Sequence, residues 1–259
     1  MLPLEGIRIL VTRESQQAKP FTDMIEERGG ISVEIPLLVF QRTHDQATKR
    51  QLENVLDYEW LLFTSANGIQ YFFEWIEEIS VDQEALRDKR FAVVGEKTAR
   101  TLHEYGILAD FVPDTYTGHH MGEAFGEAFP VPTSLLLVQG NLSKMVAAQN
   151  LMEQGHSVET VTVYQTNENV KIKDGLQREL HDQSLDVLTF TSPSTVRAFC
   201  SLGEDAITKD ILFMPCLCIG PTTEEEAKAY GFQHIIVPDT YSIEGMIEAL
   251  EKQIFHKED

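Results

Sequence analysis

Val112-Pro113-Asp114-Thr115-Tyr116 recurs, letter for letter, as Val237-Pro238-Asp239-Thr240-Tyr241. The repeat extends outward on both sides. Phe63-Thr64-Ser65 returns as Phe190-Thr191-Ser192, spaced by 127. Gly95, Gly106, Pro113 and Met121 map onto Gly220, Gly231, Pro238 and Met246 at a constant spacing of 125. One half of the chain is therefore a divergent copy of the other. So long a period marks a domain duplication, whereas solenoids and propellers repeat every roughly 20–50 residues. Two like modules commonly enclose a cleft, and such clefts hold ligands.

Each half alternates short apolar strands with amphipathic helices. The first half offers strands at Ile7–Val11, Ile31–Ile35, Trp60–Phe63, Phe91–Val94 and Asp110–Val112. The second repeats them at Leu135–Val138, Val158–Val163, Val187–Phe190, Leu217–Ile219 and His234–Val237. Short apolar strands separated by helices favour parallel sheets covered on both faces. The expected fold is α/β, with two flavodoxin-like, doubly wound parallel-sheet domains. Pro36–Arg42 and Val161–Thr166 follow the second strand of each half. Both are apolar and extended, and pattern alone leaves them as sheet strands or inter-domain connectors.

The 259 residues suit two domains. No apolar run approaches the ~20 residues of a membrane span, and the N-terminus lacks a signal-peptide pattern. Cys200, Cys216 and Cys218 sit in apolar stretches, which reads as buried thiols in a reducing cytoplasm. Cys216-x-Cys218 has no second Cys/His pair nearby, so no metal site is expected. A net charge of −20 argues against nucleic-acid binding, which depends on basic surface. An anionic ligand would have to be attracted locally, against an unfavourable overall field.

In a parallel sheet the ligand crevice lies beyond the C-terminal strand ends. Those ends carry Thr12-Arg13, Thr64-Ser65-Ala66-Asn67, Gly95-Glu96-Lys97-Thr98 and Thr115-Tyr116-Thr117 in the first half. The second half supplies Gln139-Gly140-Asn141, Thr191-Ser192-Pro193-Ser194, Gly220-Pro221-Thr222-Thr223 and Thr240-Tyr241-Ser242. Small polar residues there also serve as helix N-caps. Capping and ligand binding are compatible, because the free N–H groups of helix starts attract carboxylates and phosphates. Gly95-x-x-Thr98 and Gly220-x-x-Thr223 lack the glycines of dinucleotide and P-loop fingerprints, and HExxH and GxSxG are absent. His119-His120 reads as surface or packing histidines. Tyr164, in Val161-Thr162-Val163-Tyr164-Gln165-Thr166, is the best candidate for a proton donor. The plain alternative for Tyr164 is a strand-end tyrosine with its ring packed and its hydroxyl in water.

Taken in order, ILVTR (Ile9–Arg13), FTSANGI (Phe63–Ile69), VVGEKTA (Val93–Ala99), VTVYQT (Val161–Thr166), FTSPSTV (Phe190–Val196), CIGPTT (Cys218–Thr223) and TYSIEGM (Thr240–Met246) resemble the uroporphyrinogen-III synthase family. The resemblance covers nearly the whole chain and rests on order and spacing rather than on any one piece. It implies a cytoplasmic enzyme, a cyclising lyase of tetrapyrrole (haem) biosynthesis that uses no metal and no organic cofactor. Its substrate would be hydroxymethylbilane, closed to uroporphyrinogen III with inversion of ring D through a spiro intermediate. It further implies a monomer, with transient hand-over from the upstream bilane-forming enzyme as its protein contact.

The domains implied are 1–35 plus 170–259 and 42–164, joined by connectors 36–41 and 165–169. Duplication alone would instead place a cut near residue 130. Tyr164 matches the tyrosine placed at the leaving hydroxyl. Substrate carboxylates would fall to backbone N–H groups and to the strand-end residues, with Thr98, Thr222, Thr223 and Ser65 matching family positions. Relatives often carry an arginine in the loop after Val138, where this chain offers only Lys144. Two rival readings stay open: a two-domain protein closing on an anionic small molecule, and a synthase-like domain turned to regulation.

Overall fold

The computed structural model describes residues 2–115 and 118–255. Along the first half run β1 (Arg8–Val11), α1 (Ser15–Glu27), β2 (Ile31–Glu34), β3 (Leu38–Arg42), α2 (Gln46–Glu53), β4 (Trp60–Phe63), α3 (Ala66–Glu78), α4 (Gln83–Arg87), β5 (Arg90–Val93), α5 (Glu96–Glu104) and α6 (Gly118–Ala128). The second half contains β6 (Ser134–Gly140), α7 (Val146–Glu153), β7 (Ser157–Glu168), α8 (Lys173–His181), β8 (Val187–Phe190), α9 (Pro193–Leu202), α10 (Lys209–Phe213), β9 (Cys216–Cys218), α11 (Pro221–Ala229), β10 (Ile235–Ile236) and α12 (Ile243–Phe255).

The chain divides into two compact units, one of Met1–Val39 with Asn167–Asp259 and one of Phe40–Thr166. The first holds a sheet of order β10-β9-β8-β1-β2. Its pairs β1/β2, β1/β8, β8/β9 and β9/β10 are all parallel. The strands are apolar on both faces because helices cover both. Leu10, Leu188 and Phe190 pack with Val196 and Phe199 of α9, whereas Ile9 and Val11 pack with Phe21 and Ile25 of α1 and with Met246 of α12. This is the flavodoxin-like strand order.

The second unit holds β3-β7-β6-β4-β5. Its β4/β5, β4/β6 and β6/β7 pairs are parallel. Leu61, Phe63, Leu136 and Val138 face Ile69, Phe72 and Ile76 of α3. Trp60, Leu62, Leu135 and Leu137 face Met121 and Phe125 of α6 and Ala147 and Leu151 of α7.

The strand expected at Asp110–Val112 contributes only one bridge, between Phe111 and Ala92. Likewise the one expected at His234–Val237 is paired only over Ile235–Ile236. Pro113 and Pro238 follow closely, and proline has no N–H with which to extend a ladder. The two segments left open by pattern are both extended strand, Leu38–Arg42 as β3 and Val161–Thr166 as part of β7, its neighbour in the sheet. The division between the two units falls within these same strands, after Val39 and after Thr166.

Each sheet takes strands from both copies of the repeat. β1 and β2 of the first copy join β8, β9 and β10 of the second, and β6 and β7 of the second join β4 and β5 of the first. In each sheet the winding reverses between two central strands. α1 leaves β1 on one face while α9 leaves β8 on the other. α3 and α7 leave β4 and β6 in the same divergent way. Such a reversal opens a crevice at the C-terminal strand ends.

Candidate functional site

At the reversal in the second unit, Phe63 of β4 pairs with Val138 of β6, so Thr64-Ser65 and Gln139-Gly140 lie next beyond them. On the other side of β6 the register slips. Gln139 pairs with Thr162, but Gly140 pairs with Tyr164, so Val163 is an extra residue. An unpaired residue of this kind bends the strand and redirects the next side chain. Val161, Val163 and Tyr164 consequently all join the α3 side of the core, although strict alternation would send Tyr164 to the other face.

Tyr164 is buried, with its ring stacked on Tyr71 (centroids 5.4 Å apart) and set edge-on to Phe40 (5.9 Å). Its Oη lies 3.2 Å from Ser65 Oγ. Ser65 is the N-cap of α3, and its Oγ accepts the Gly68 N–H at 3.0 Å. Burial pushes the phenol above its ordinary pKa, and the Ser65 hydrogen bond opposes this. The phenol therefore keeps its proton throughout the neutral range. Asn141 secures the loop: its N–H donates to Tyr164 O (3.1 Å), and its Oδ1 accepts the Thr166 N–H (2.8 Å).

Two polar atoms at this reversal are buried without a hydrogen-bond partner, Thr64 Oγ1 and Gln139 Oε1. Gln139 is 5 % exposed, and its Nε2 reaches only Met145 Sδ, at 3.5 Å. Buried polar groups are paired in the great majority of cases, so two orphans at adjoining strand ends are unusual. Asn67 is half-buried in the first turn of α3. Gly95 starts α5 without a side-chain cap, and Thr98 is buried in that first turn. Tyr116 and Thr117 lie outside the described residues.

The reversal in the first unit is closed internally. Thr12 is fully buried and donates to Thr189 O (2.7 Å), while Thr189 Oγ1 donates to Leu10 O (2.7 Å). Arg13 turns onto its own helix, donating from Nε to Gln17 O (3.0 Å) and from Nη2 to Gln17 Oε1 (3.3 Å). Thr191 is half-buried before Ser192, which forms a capping box with Thr195 and shares a 2.9 Å hydrogen bond with Ser194. Gly220 starts α11 uncapped, as Gly95 starts α5. Thr222 is exposed, Thr223 is buried, and the Tyr241 ring lies against Gly220. Ser242 Oγ accepts the Gly245 N–H (3.1 Å) at the start of α12.

Cys216 and Cys218 are buried with sulfurs 3.8 Å apart, and that contact, with burial, holds Cys216 well above the ordinary thiol range. Burial, with Glu226 nearby, pushes Cys200 up to about 12. Among the described residues no group of three His, Cys, Asp or Glu side chains is placed to hold a metal ion. None of their helices is long and apolar enough to cross a membrane.

Residues 19–248 match the HEM4 family, uroporphyrinogen-III synthase HemD. The chain belongs to this family. The porphyrin biosynthesis protein HemD of Ruminiclostridium josui is 28% identical over 96% of the chain, which spans 49% of that relative's length. The uroporphyrinogen-III synthase of Synechococcus elongatus is 27% identical over 96% of the chain and 96% of its own. In fold, a mutant uroporphyrinogen III synthase from the extremely thermophilic bacterium Thermus thermophilus superposes with a TM-score of 0.66 at 17% identity, over 97% of this chain and all of its own. Within the family frame, sequence reading missed Phe40 and Tyr71, the two rings that seat Tyr164. Phe40 lay in the extended segment Pro36–Arg42, and recognising it as the sheet neighbour of β7 would have found it.

Proposed function

We propose that this chain converts hydroxymethylbilane to uroporphyrinogen III, with Tyr164 as the proton donor. The observation that carries the reading is the phenol of Tyr164 held at the reversal of a family-member sheet, protonated and hydrogen-bonded to Ser65. As the terminal C–O bond breaks, the phenol gives its proton to the departing hydroxyl, which leaves as water. The azafulvenium cation that remains is attacked by the substituted carbon of the last ring. The spiro intermediate reopens, and the ring recloses through its free carbon. That carbon's proton, released on closure, balances the one the phenol gave up. The Ser65 hydroxyl stabilises the transient phenolate by hydrogen bonding to it.

Substrate carboxylates fall to uncapped helix starts and nearby hydroxyls, since Gly95 and Gly220 leave first-turn N–H groups without a side-chain cap. Thr64 and Gln139, each with a buried oxygen that has no partner, supply further polar contacts once substrate binding uncovers those oxygens. The exposed Thr222 and Tyr241 are accessible in the first unit, whereas the Thr12 hydroxyl is already engaged. We place the enzyme in the cytoplasm as a monomer that receives its substrate by transient hand-over from the bilane-forming enzyme. The test is the purified chain with hydroxymethylbilane and separation of the type I and type III isomers. Type III product is expected. Type I alone, the isomer that forms without enzyme, overturns the assignment.

A further inference from the structure

The absent side chain of Gly140 has an occupant. A Cβ built there would fall 2.4 Å from Cζ, 2.7 Å from Cε2 and 2.8 Å from Oη of Tyr164. Non-bonded carbon atoms sit ~3.5–4.0 Å apart at their optimum, so any other residue at 140 must displace the ring or the strand. The backbone gives no separate reason for glycine here, because Gly140 is not among the glycines with positive φ.

Yielding of the strand is opposed on several sides. The Asn141 N–H holds Tyr164 O at 3.1 Å, the Ser143 N–H holds Gly140 O at 3.1 Å, and Asn141 Oδ1 holds the Thr166 N–H at 2.8 Å. Phe40 and Tyr71 confine the ring on its other sides.

We propose that Gly140 is a positioning residue for Tyr164: its bare Cα, brought against the ring by the register slip in β7, is the wall that keeps the phenol hydroxyl at Ser65. This rests on the reading of Tyr164 as proton donor. A side chain at 140 drives the ring off Ser65 and away from the leaving hydroxyl. In a preorganised site a displacement of about 1 Å costs up to ~10²-fold in rate.

The experiment compares Gly140→Ala, Tyr164→Ala and the double variant. Gly140→Ala is expected to lower kcat by roughly 10- to 100-fold, with KM changed by less than about threefold, as for an interaction made only in the transition state. In the Tyr164→Ala background the ring is gone, so adding Gly140→Ala should leave kcat and Tm unchanged. Should Gly140→Ala fail to fold, recovery of folding in the double variant supports the overlap, and continued failure overturns it. An activity-free readout is the NMR signal of 13C-labelled Tyr164, identified by its loss in Tyr164→Phe. It should move in Gly140→Ala, with the signal of the stacked Tyr71 the one other tyrosine signal expected to follow it. An unmoved signal with unchanged kcat, or an equal loss of kcat in the Tyr164→Ala background, overturns the proposal. Absence of type III product from the wild-type chain would instead sink the donor reading, and the ring displacement would still be measurable.

Discussion

Ser65 Oγ lies 3.2 Å from Tyr164 Oη and 3.0 Å from the Gly68 N–H, so one serine both starts α3 and holds the phenol. Either hydroxyl can donate across this contact; when Ser65 donates to the phenol oxygen, the Tyr164 proton is free for another acceptor.

Tyr164→Phe should lower kcat by roughly 10²- to 10⁴-fold, the usual contribution of a general acid. The ring keeps its contacts with Phe40 and Tyr71, so the loss in stability should stay near the ~0.5–1.5 kcal/mol of one neutral hydrogen bond. Steady-state kinetics and thermal unfolding check both. An unchanged kcat moves the donor elsewhere.

Ser65→Ala and Ser65→Asp should separate the two roles of the serine. Alanine loses the cap, at about 1 kcal/mol, together with the hydroxyl. Aspartate caps as well as serine but cannot donate to a phenolate at neutral pH, and its charge opposes one. Tm should therefore survive in the aspartate variant while kcat falls at least about tenfold. Equal activity of the wild type and Ser65→Asp would leave Ser65 as a cap alone.

Gln139→Leu should act in opposite directions on stability and binding. It removes a buried acceptor with no partner, and such an orphan costs about 1–3 kcal/mol. Each kcal/mol recovered raises Tm by roughly 2–4 °C in a chain of this size. If Gln139 meets substrate, affinity should weaken by roughly 3- to 10-fold. Thermal unfolding and binding of a linear tetrapyrrole analogue test the pair, and intact affinity would confine Gln139 to structure.

His156 should make the fold sensitive to mild acid. It is 5 % exposed, neither ring nitrogen has a partner, and burial holds its pKa below the ordinary value. A folded pKa below the unfolded one means that the unfolded chain binds the proton more readily. The stability is thus present above the unfolded pKa of ~6.5 and is lost as pH falls through it toward the folded value. His156→Leu should show a flatter dependence of Tm on pH from about 7 to 5. Parallel curves for wild type and variant would rule the residue out.

The duplication, the alternation of strand and helix, and the polar strand ends were all legible in the sequence, because each is written in local pattern. Val187–Phe190 reads as a buried strand wherever it pairs, and Phe63-Thr64-Ser65 reads as a strand running into a capped helix. What sequence left open depended on partners distant in the chain. Pattern could not decide whether Pro36–Arg42 was strand or connector, since an edge strand is defined by its neighbour, here β7. Nor could it decide which copy supplies which sheet. β1 pairs with β8 rather than with β4 of its own copy, and both choices bury similar apolar runs. The seat of Tyr164 was equally out of reach. Alternation assigns it to the wrong face, and only the slip between Gln139 and Gly140 turns it onto α3. The sequence by itself determined the elements and the chemistry at their ends. The tertiary structure alone decided which ends meet, because strand pairing and register are settled by contacts between residues far apart in the chain.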